Sequence, residues 1–294
     1  MIKKAIITAA GYGTRFLPIS KTIKKEMMPI LNRPVLDYVV ADCYDAGIEE
    51  IIFVTKERES IIQWYYSENR SLTQHLEEMH KIEQYRHFLK FLEIQENIRF
   101  RFVEQTQYDQ YGTAIPVKIA QKYLQNEEAF LVLMGDDFIY NQDESSEVTR
   151  MIKTYEESGA KALMTCIEVP RDELEKYGVV ETQLKNTYHY LTNLFEKPKP
   201  DQTLSNLANI SKYILPTEVF DIVNRQKKNP HFGEYLITDT VLELAQKHDV
   251  VIHKPQGKYL DGGDILGWLK ANLTIAWDDP ALKKELSKFI QTSL

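Results

Sequence analysis

Residues 4–15 read KAIITAAGYGTR, an apolar run that ends in a turn with two glycines. The run from Lys4 to Ala10 is typical of a buried strand, and Gly11-Tyr12-Gly13 is typical of a tight turn. Ligands of open parallel sheets bind beyond the carboxyl ends of the strands, where free backbone N–H groups can face an anion. The turn is therefore a candidate anion site, and a tight strand-to-helix turn without a ligand is the alternative.

Strand-like and helix-like segments alternate in the first half of the chain. Strands are expected near residues 4–10, 51–54, 100–103 and 129–134, and helices near 34–46, 59–66, 71–92 and 114–124. This alternation is typical of a largely parallel sheet with helices on both faces.

The second half is less regular. It predicts helices near 146–158, 217–227 and 236–247, strands near 161–168, 178–182, 207–214 and 250–253, a polar stretch at 184–190, and a helical pattern from 266 onwards that breaks around 278–280. A single α/β unit with a mixed sheet accounts best for the whole pattern.

Composition narrows the class of protein. The chain has 294 residues, a net charge of −7, 43% apolar residues and 27% charged residues, which is ordinary for a soluble globular protein. The acidic balance argues against nucleic-acid and membrane partners. No run is long enough for a signal peptide or a membrane span, so a cytoplasmic location is expected. Cys43 and Cys166 are far apart in sequence, which predicts buried thiols and neither a disulfide framework nor a zinc site.

Two common phosphate-binding motifs do not fit the glycine turn. A dinucleotide-binding Rossmann turn requires a small residue where this chain has Phe16, and an acidic residue about 20 positions further on. The next expected strand ends instead in Val54-Thr55-Lys56. A Walker loop is excluded because no GK[ST] follows the turn.

Four cations follow the turn in this acidic chain: Arg15, Lys21, Lys24 and Lys25. A solvated basic face is the usual interpretation of such a cluster. Because these cations come directly after a turn at a strand end, a polyphosphate site is favoured.

Residues 9–40 read AAGYGTRFLPISKTIKKEMMPILNRPVLDYVV. This stretch resembles the sugar nucleotidyltransferase signature AGxGTRxxPxTKxxPKExxP, specifically in the form found in bacterial UTP–glucose-1-phosphate uridylyltransferases. The resemblance continues to about residue 275 through Gln105, Gly112-Thr113-Ala114, Gly135-Asp136-Asp137, Tyr177-Gly178-Val179-Val180, Phe195-Glu196-Lys197-Pro198-Lys199, Ser205-Asn206-Leu207-Ala208, Gly233-Glu234 and Thr238-Asp239. It implies a catalytic domain over 1–275 and a helical extension over 276–294.

The resemblance implies a three-layer α/β/α fold with a mostly parallel mixed sheet, Rossmann-like and similar to glycosyltransferases of the A type. The implied reaction joins UTP and glucose 1-phosphate into UDP-glucose and pyrophosphate, with Mg²⁺ as cofactor and a homodimer or homotetramer as the assembly. Two alternatives stay open. One is the same chemistry with another nucleotide, such as dTTP, or another hexose 1-phosphate; the other is a catalytically weak paralogue that binds nucleotide sugars and regulates or scaffolds other proteins.

Two carboxylates are the candidate metal ligands. Asp136 directly follows an apolar strand, and strand-end carboxylates beside phosphates suit Mg²⁺. A turn or helix-cap role is the alternative for such a residue. Asp137 is the weaker candidate because its side chain points the opposite way on an extended chain. By resemblance, Asp261 is the second ligand.

The remaining site residues come from the resemblance. Arg15 and Lys25 are expected on the UTP phosphates, and Gln105 on the uracil edge, since an amide offers both donor and acceptor. The nucleotide site would further include Ala10, Gly11, Gly13, Thr14 and Gly112. The sugar phosphate would be bound by Gly178, Glu196 and Lys197, although an exposed Glu-Lys pair is usually only surface.

Four positions depart from the family pattern. The expected proline before Lys25 is Lys24, and the expected glycine of the loop near the base is Gln110, which would reshape the base pocket. Leu236 replaces a glutamine, and Asp264 adds a carboxylate near the expected metal site. Nucleotide and sugar preference is therefore less well determined than the type of reaction.

Overall fold

The computed structural model describes residues 1–58, 60–106 and 108–293. Its strands are β1 (Lys4–Ala9), β2 (Pro29–Ile30), β3 (Arg33–Pro34), β4 (Glu50–Lys56), β5 (Arg99–Gln105), β6 (Ala129–Met134), β7 (Asp137–Tyr140), β8 (Ala162–Glu168), β9 (Gly178–Lys185), β10 (Tyr188–Glu196), β11 (Leu207–Pro216), β12 (Val250–His253) and β13 (Lys258–Asp261). Its α-helices are α1 (Val35–Asp45), α2 (Ile61–Tyr65), α3 (Arg70–Glu78), α4 (Arg86–Asn97), α5 (Ile115–Ala120), α6 (Glu147–Ser158), α7 (Val219–Arg225), α8 (Ile237–Ala245), α9 (Ile265–Asp278) and α10 (Pro280–Ser293).

Nine strands form one mixed sheet in the order β5-β4-β1-β6-β11-β8-β12-β10-β9. The first four run parallel, as the alternating pattern predicts, whereas β11 pairs antiparallel with both β6 and β8. The carboxyl ends of β1, β4, β5 and β6 consequently meet at one edge. The glycine turn, Gln105 and Asp136 all lie at that edge.

Helices cover both faces of the sheet, which confirms the three-layer α/β/α fold. Because side chains alternate along a strand, Ile7 belongs to a core cluster with residues of α1 and α6, while its neighbour Ile6 belongs to a cluster with residues of α5, α7 and α8. Cys43 and Cys166 are buried free thiols within these two clusters, as expected.

Three local predictions were wrong. The helix expected over 71–92 is split into α3 and α4, because His80 adopts a left-handed φ of 50° that ends α3. The polar stretch expected at 184–190 contains the two-residue turn of the β9–β10 hairpin at 186–187, with Asn186 at φ 57°, but its other residues belong to β9 and β10, and most of β10 was missed. The short strands β7 and β13 were also missed; they pair antiparallel as a separate two-stranded ribbon.

The chain ends in α9 and α10, which confirms the expected break near residues 278–280. Across the described ranges, none of the helices combines the length and the apolar character needed to cross a bilayer.

Candidate active site

The glycine turn begins directly after β1. Gly13 has a left-handed φ of 63° and precedes a 3₁₀ turn over Thr14–Phe16, in which Phe16 is buried and anchors the loop. Ala10 and Gly11 line a cavity of about 160 Å³, here termed the Gln105 cavity. Gly13 and Thr14 are not among its lining residues. The left-handed φ of Gly13 shapes the turn.

Lys24 stabilises this turn through a hydrogen bond from its side chain. Its side chain is buried, and Nζ donates a hydrogen bond of 3.1 Å to the carbonyl oxygen of Gly11. Burial lowers the pKa of Lys24. The backbone of Lys24 has φ −60°, a value that proline adopts without strain, which explains how the family pattern carries proline at the same position.

Gln105, the last residue of β5, lies in the wall of the Gln105 cavity. Its side chain is 3% exposed, and Nε2 donates to the carbonyl oxygen of Gln110 at 3.1 Å. Gly112 lines the same cavity with φ 134°, and a Cβ at this position would collide with the backbone of Tyr235. Glycine is therefore required here by the packing of the loop.

Gln110, which departs from the family pattern, affects the Gln105 cavity only indirectly. Gln110 Nε2 donates to the hydroxyl of Tyr235 at 2.7 Å, and Gln110 does not line the Gln105 cavity. Tyr111 lines it instead, and its carbonyl oxygen accepts a hydrogen bond of 3.0 Å from the Tyr235 backbone N–H. Tyr111, rather than Gln110, therefore contributes to the wall of this cavity.

The β7–β13 ribbon brings the two candidate metal carboxylates together. Asp136 immediately precedes β7 and Asp261 ends β13, while the Gly262 N–H donates to the Asp136 carbonyl oxygen at 2.8 Å. A methyl group built on Gly263 would lie 2.6 Å from Asp136 Oδ2 and 2.9 Å from Asp261 Oδ1. Both carboxylate oxygens therefore face one small space beside Gly263.

This space is electrostatically suited to a cation. Lys25 Nζ forms an ion pair with Asp136 Oδ2. Burial opposes ionisation of Asp136, but the Lys25 charge outweighs it and lowers the pKa of Asp136. Burial, with a further contribution from the charge of Asp136, raises the pKa of Asp261. A second cation would relieve this carboxylate repulsion.

Two carboxylates without further protein ligands suit Mg²⁺. Among the described residues, no group of three or more His, Cys, Asp or Glu side chains is arranged to hold a metal. Mg²⁺ commonly binds through one or two carboxylates and fills its other positions with water and substrate phosphate. The donor set of Asp136 and Asp261 fits that mode.

Asp137 does not take part in this carboxylate pair. Its Oδ1 is ion-paired with Lys212, and its Oδ2 accepts a hydrogen bond of 3.1 Å from the Tyr259 hydroxyl. Burial raises the pKa of Asp137 to about 6, against the lowering effect of Lys212. Both oxygens of Asp137 are thus engaged by partners other than Asp136 and Asp261.

A second cavity, of about 280 Å³, adjoins the first and is here termed the Glu196 cavity. Glu196 Oε2 accepts a hydrogen bond of 3.1 Å from Thr238 Oγ1, and burial raises the pKa of Glu196. A Cβ on Gly178 would lie 3.2 Å from Glu196 Oε2, so glycine leaves this carboxylate accessible. Lys25 and Asp136 line both cavities and therefore stand where they meet.

Lys197 lies apart from this cavity. Its backbone N–H donates to the Tyr177 carbonyl at 3.0 Å, its φ is 49°, and Nζ lies 5.6 Å from the centre of the Phe232 ring. It does not line the Glu196 cavity.

Arg15 and Leu236 both line the Glu196 cavity. Arg15 is 64% exposed, with Nη1 3.7 Å from Asp264 Oδ2, and Asp264 Oδ1 accepts from the Gly267 N–H at 2.8 Å at the start of α9. The extra carboxylate of Asp264 is thus a helix cap and a partner of Arg15. Leu236 presents an apolar side chain where the family pattern has an amide.

Glu26 is a site residue that the sequence analysis missed. It lines the Gln105 cavity and is 1% exposed, and its Oε2 has no hydrogen-bond partner among the described residues. Burial raises the pKa of Glu26 to about 7. Composition alone offered only an acid directly after the Lys24-Lys25 pair, which is typical of a solvated surface; the available signal was the glutamate of the PKE element in the family signature, which falls on Glu26.

The chain is similar to known proteins over nearly its whole length. Residues 4–279 match the model of the nucleotidyl transferase family. The chain is 33% identical to the UTP–glucose-1-phosphate uridylyltransferase of Staphylococcus epidermidis and 35% identical to that of Staphylococcus haemolyticus, each over 99% of this chain and 98% of the relative.

Solved structures with the same fold include UTP-bound UGPase from Acinetobacter baumannii, with a TM-score of 0.86, 31% identity and coverage of 100% of both chains. A UDP-glucose pyrophosphorylase complexed with UDP-glucose has a TM-score of 0.83 and 29% identity, and the match covers 94% of this chain and 98% of that chain.

Proposed function

The chain belongs to the nucleotidyl transferase family, alongside bacterial UTP–glucose-1-phosphate uridylyltransferases, and we propose that it forms UDP-glucose and pyrophosphate from UTP and glucose 1-phosphate. One observation carries the proposal. Lys25 and Asp136 stand between two adjoining cavities, one lined by Gln105 and Gly112 and the other by Gly178 and Glu196. A site that joins two anionic substrates needs such a shared point.

In the proposed reaction a phosphate oxygen of glucose 1-phosphate attacks the α-phosphorus of UTP, and pyrophosphate leaves with the electrons of the broken P–O bond. The attacking oxygen is already anionic at neutral pH, so no side chain has to remove a proton. Catalysis then consists of holding the two substrates in line and neutralising charge. Lys25 and Arg15 have that task in the proposal.

Glu196 and Gly178 would hold the sugar, the carboxylate by accepting from hydroxyls and the glycine by leaving room for the ring. Gln105 would pair with the imide edge of the base, with Ala10, Gly11 and Gly112 against the base and ribose. The ammonium group of Lys197 would leave the Phe232 ring and bind the phosphate of glucose 1-phosphate. The hydrogen bond from Thr238 would orient the Glu196 carboxylate for its contact with the sugar.

Asp136 and Asp261 are the proposed ligands of Mg²⁺, which when bound supplies charge neutralisation to phosphate oxygens. Their convergence beside Gly263 supports this assignment. Lys25 would then change its partner from Asp136 to a phosphate.

We further propose that the enzyme is cytoplasmic, because nucleoside triphosphates are available in the cytoplasm. We also propose that it forms a homodimer or homotetramer. Side chains of α9 support the assembly: Ile265, Leu266, Leu269 and Leu273 are between 45% and 61% exposed. Exposed apolar residues in such a row are typical of protein contacts. Light scattering of the purified protein would give the number of subunits.

The test is pyrophosphate release with glucose 1-phosphate and Mg²⁺ across UTP, dTTP, ATP, CTP and GTP. Preference for UTP is expected. A preference for dTTP would show that the nucleotide substrate is dTTP, whereas the proposed type of reaction would stand. Absence of turnover with every nucleotide and several hexose 1-phosphates would overturn the enzyme proposal and favour a nucleotide-sugar-binding paralogue.

A further inference from the structure

Lys212 is a buried cation that none of the proposed catalytic steps uses. It lies on β11, and its side chain is 5% exposed. Nζ donates to the carboxylate of Asp137 and, at 3.2 Å, to the Asp137 carbonyl oxygen. The cation therefore holds both the side chain and the backbone at the start of β7.

An irregularity of β11 presents Lys212 to this position. The pairing of β11 with β8 shifts register between Asn209 and Tyr213, and Ser211 between them has a left-handed φ of 54°. Asn209 Oδ1 fixes the bend by accepting from the Ser211 N–H at 2.9 Å. Strand irregularities of this kind often re-aim a side chain beside an active site.

Tyr259 completes the network from β13. Its hydroxyl donates to Asp137 Oδ2, so both carboxylate oxygens of Asp137 have a partner. In the ribbon, Asp137 pairs directly with Asp261, and Asp136 is its chain neighbour. Asp137 thus sits between the two proposed metal ligands and is held by Lys212 on one side and Tyr259 on the other.

We propose that Lys212 and Tyr259 are positioning residues for the metal site: acting through Asp137, they set the separation and direction of the Asp136 and Asp261 carboxylates. This inference rests on the proposed function, because it concerns the metal of that reaction. A purely structural ion pair would stabilise the sheet without affecting affinity for the metal. The two roles therefore make different predictions.

The test uses Tyr259→Phe, Lys212→Met and Lys212→Arg in the full chain. Two quantities are measured: the affinity for Mn²⁺ in the absence of substrates, by electron paramagnetic resonance, and the Mg²⁺ concentration for half-maximal turnover. Loss of a partner behind a metal ligand typically weakens metal affinity by about 10- to 100-fold. A loss in that range is expected for Lys212→Met, a smaller one for Tyr259→Phe, and partial recovery for Lys212→Arg.

Tyr190→Phe is the matched control. This buried tyrosine donates to the Ser158 carbonyl at 3.3 Å, and neither residue lines the two cavities. Unchanged Mn²⁺ affinity is expected. If Tyr259→Phe also keeps wild-type Mn²⁺ affinity, the positioning role is wrong.

Should Lys212→Met fail to fold, Tyr259→Phe decides, because it removes only one hydroxyl. If the proposed function is wrong, the wild-type protein will show no turnover, which is a separate observation. The Mn²⁺ measurement does not depend on turnover.

Discussion

Substitution of Gly263 by alanine offers a sharp test of the carboxylate pair. A methyl carbon in ordinary contact stays 3.4–4 Å from its neighbours, whereas at this position it would lie 2.6 Å from Asp136 Oδ2 and 2.9 Å from Asp261 Oδ1. The two oxygens must therefore retreat by about 0.8 Å and about 0.5 Å. Misplacement on the order of 1 Å can cost about 100-fold in rate.

The expected result of Gly263→Ala is a roughly 100-fold loss of turnover, equivalent to about 2.7 kcal/mol in the activation barrier. The free energy of unfolding should also fall, by about 1–3 kcal/mol, because the two obstructing carboxylates are held by Lys25 and by the Gly263 N–H and must shift against these partners. Gly263 is outside the left-handed region, so its backbone accepts a Cβ.

The assay is pyrophosphate release as a function of Mg²⁺ concentration, together with thermal unfolding. Gly159→Ala is the control: its φ is 63° and its Cβ would meet nothing within 4 Å, so it should lose about 1 kcal/mol of stability and keep its Mg²⁺ dependence. Wild-type turnover and Mg²⁺ dependence in Gly263→Ala would refute the assignment of both carboxylates to one metal.

Three further outcomes are expected. Asp136→Asn should abolish Mg²⁺-dependent turnover and leave the circular dichroism spectrum unchanged; near-normal activity would show that the metal ligand lies elsewhere. Glu196→Gln should raise KM for glucose 1-phosphate about 10-fold or more and leave KM for UTP nearly unchanged, and an equal rise in both would contradict a sugar-binding role. Buried Glu26 keeps its proton up to a pKa of about 7, against 4.5 when unfolded, so the folded state binds more protons between these values. The contribution of Glu26 to the unfolding free energy should therefore fall as pH rises through that window, by at most about 3 kcal/mol. Urea titrations of wild type and Glu26→Gln at several pH values measure this contribution. Identical pH profiles of the two proteins would exclude it.

Much of the site could be predicted because it is local in sequence. The glycine turn, Arg15 and Lys25 lie within one continuous stretch, and Asp136 follows its strand directly. Strand ends of a parallel sheet share an edge, so these residues needed no knowledge of long-range packing. The departures could be seen in sequence as well, but their effects could not.

Gln110 illustrates that limit. The sequence marked it as the change in the base pocket, yet its amide bonds to the Tyr235 hydroxyl, 125 positions away in the chain, and Tyr111 lines the cavity instead. Which way a loop side chain turns depends on the partner that packs against it. That partner comes from a distant segment.

By itself, the sequence determined the alternation of strands and helices, the turn after β1, the cations that follow it and the carboxylate after β6. Only the tertiary structure decided how Asp261 meets Asp136, which oxygen Lys212 holds and where β10 runs. The physical reason is range: helix periodicity and turn chemistry act between near neighbours, whereas the β7–β13 ribbon and the bend in β11 are fixed by hydrogen bonds between segments far apart in the chain.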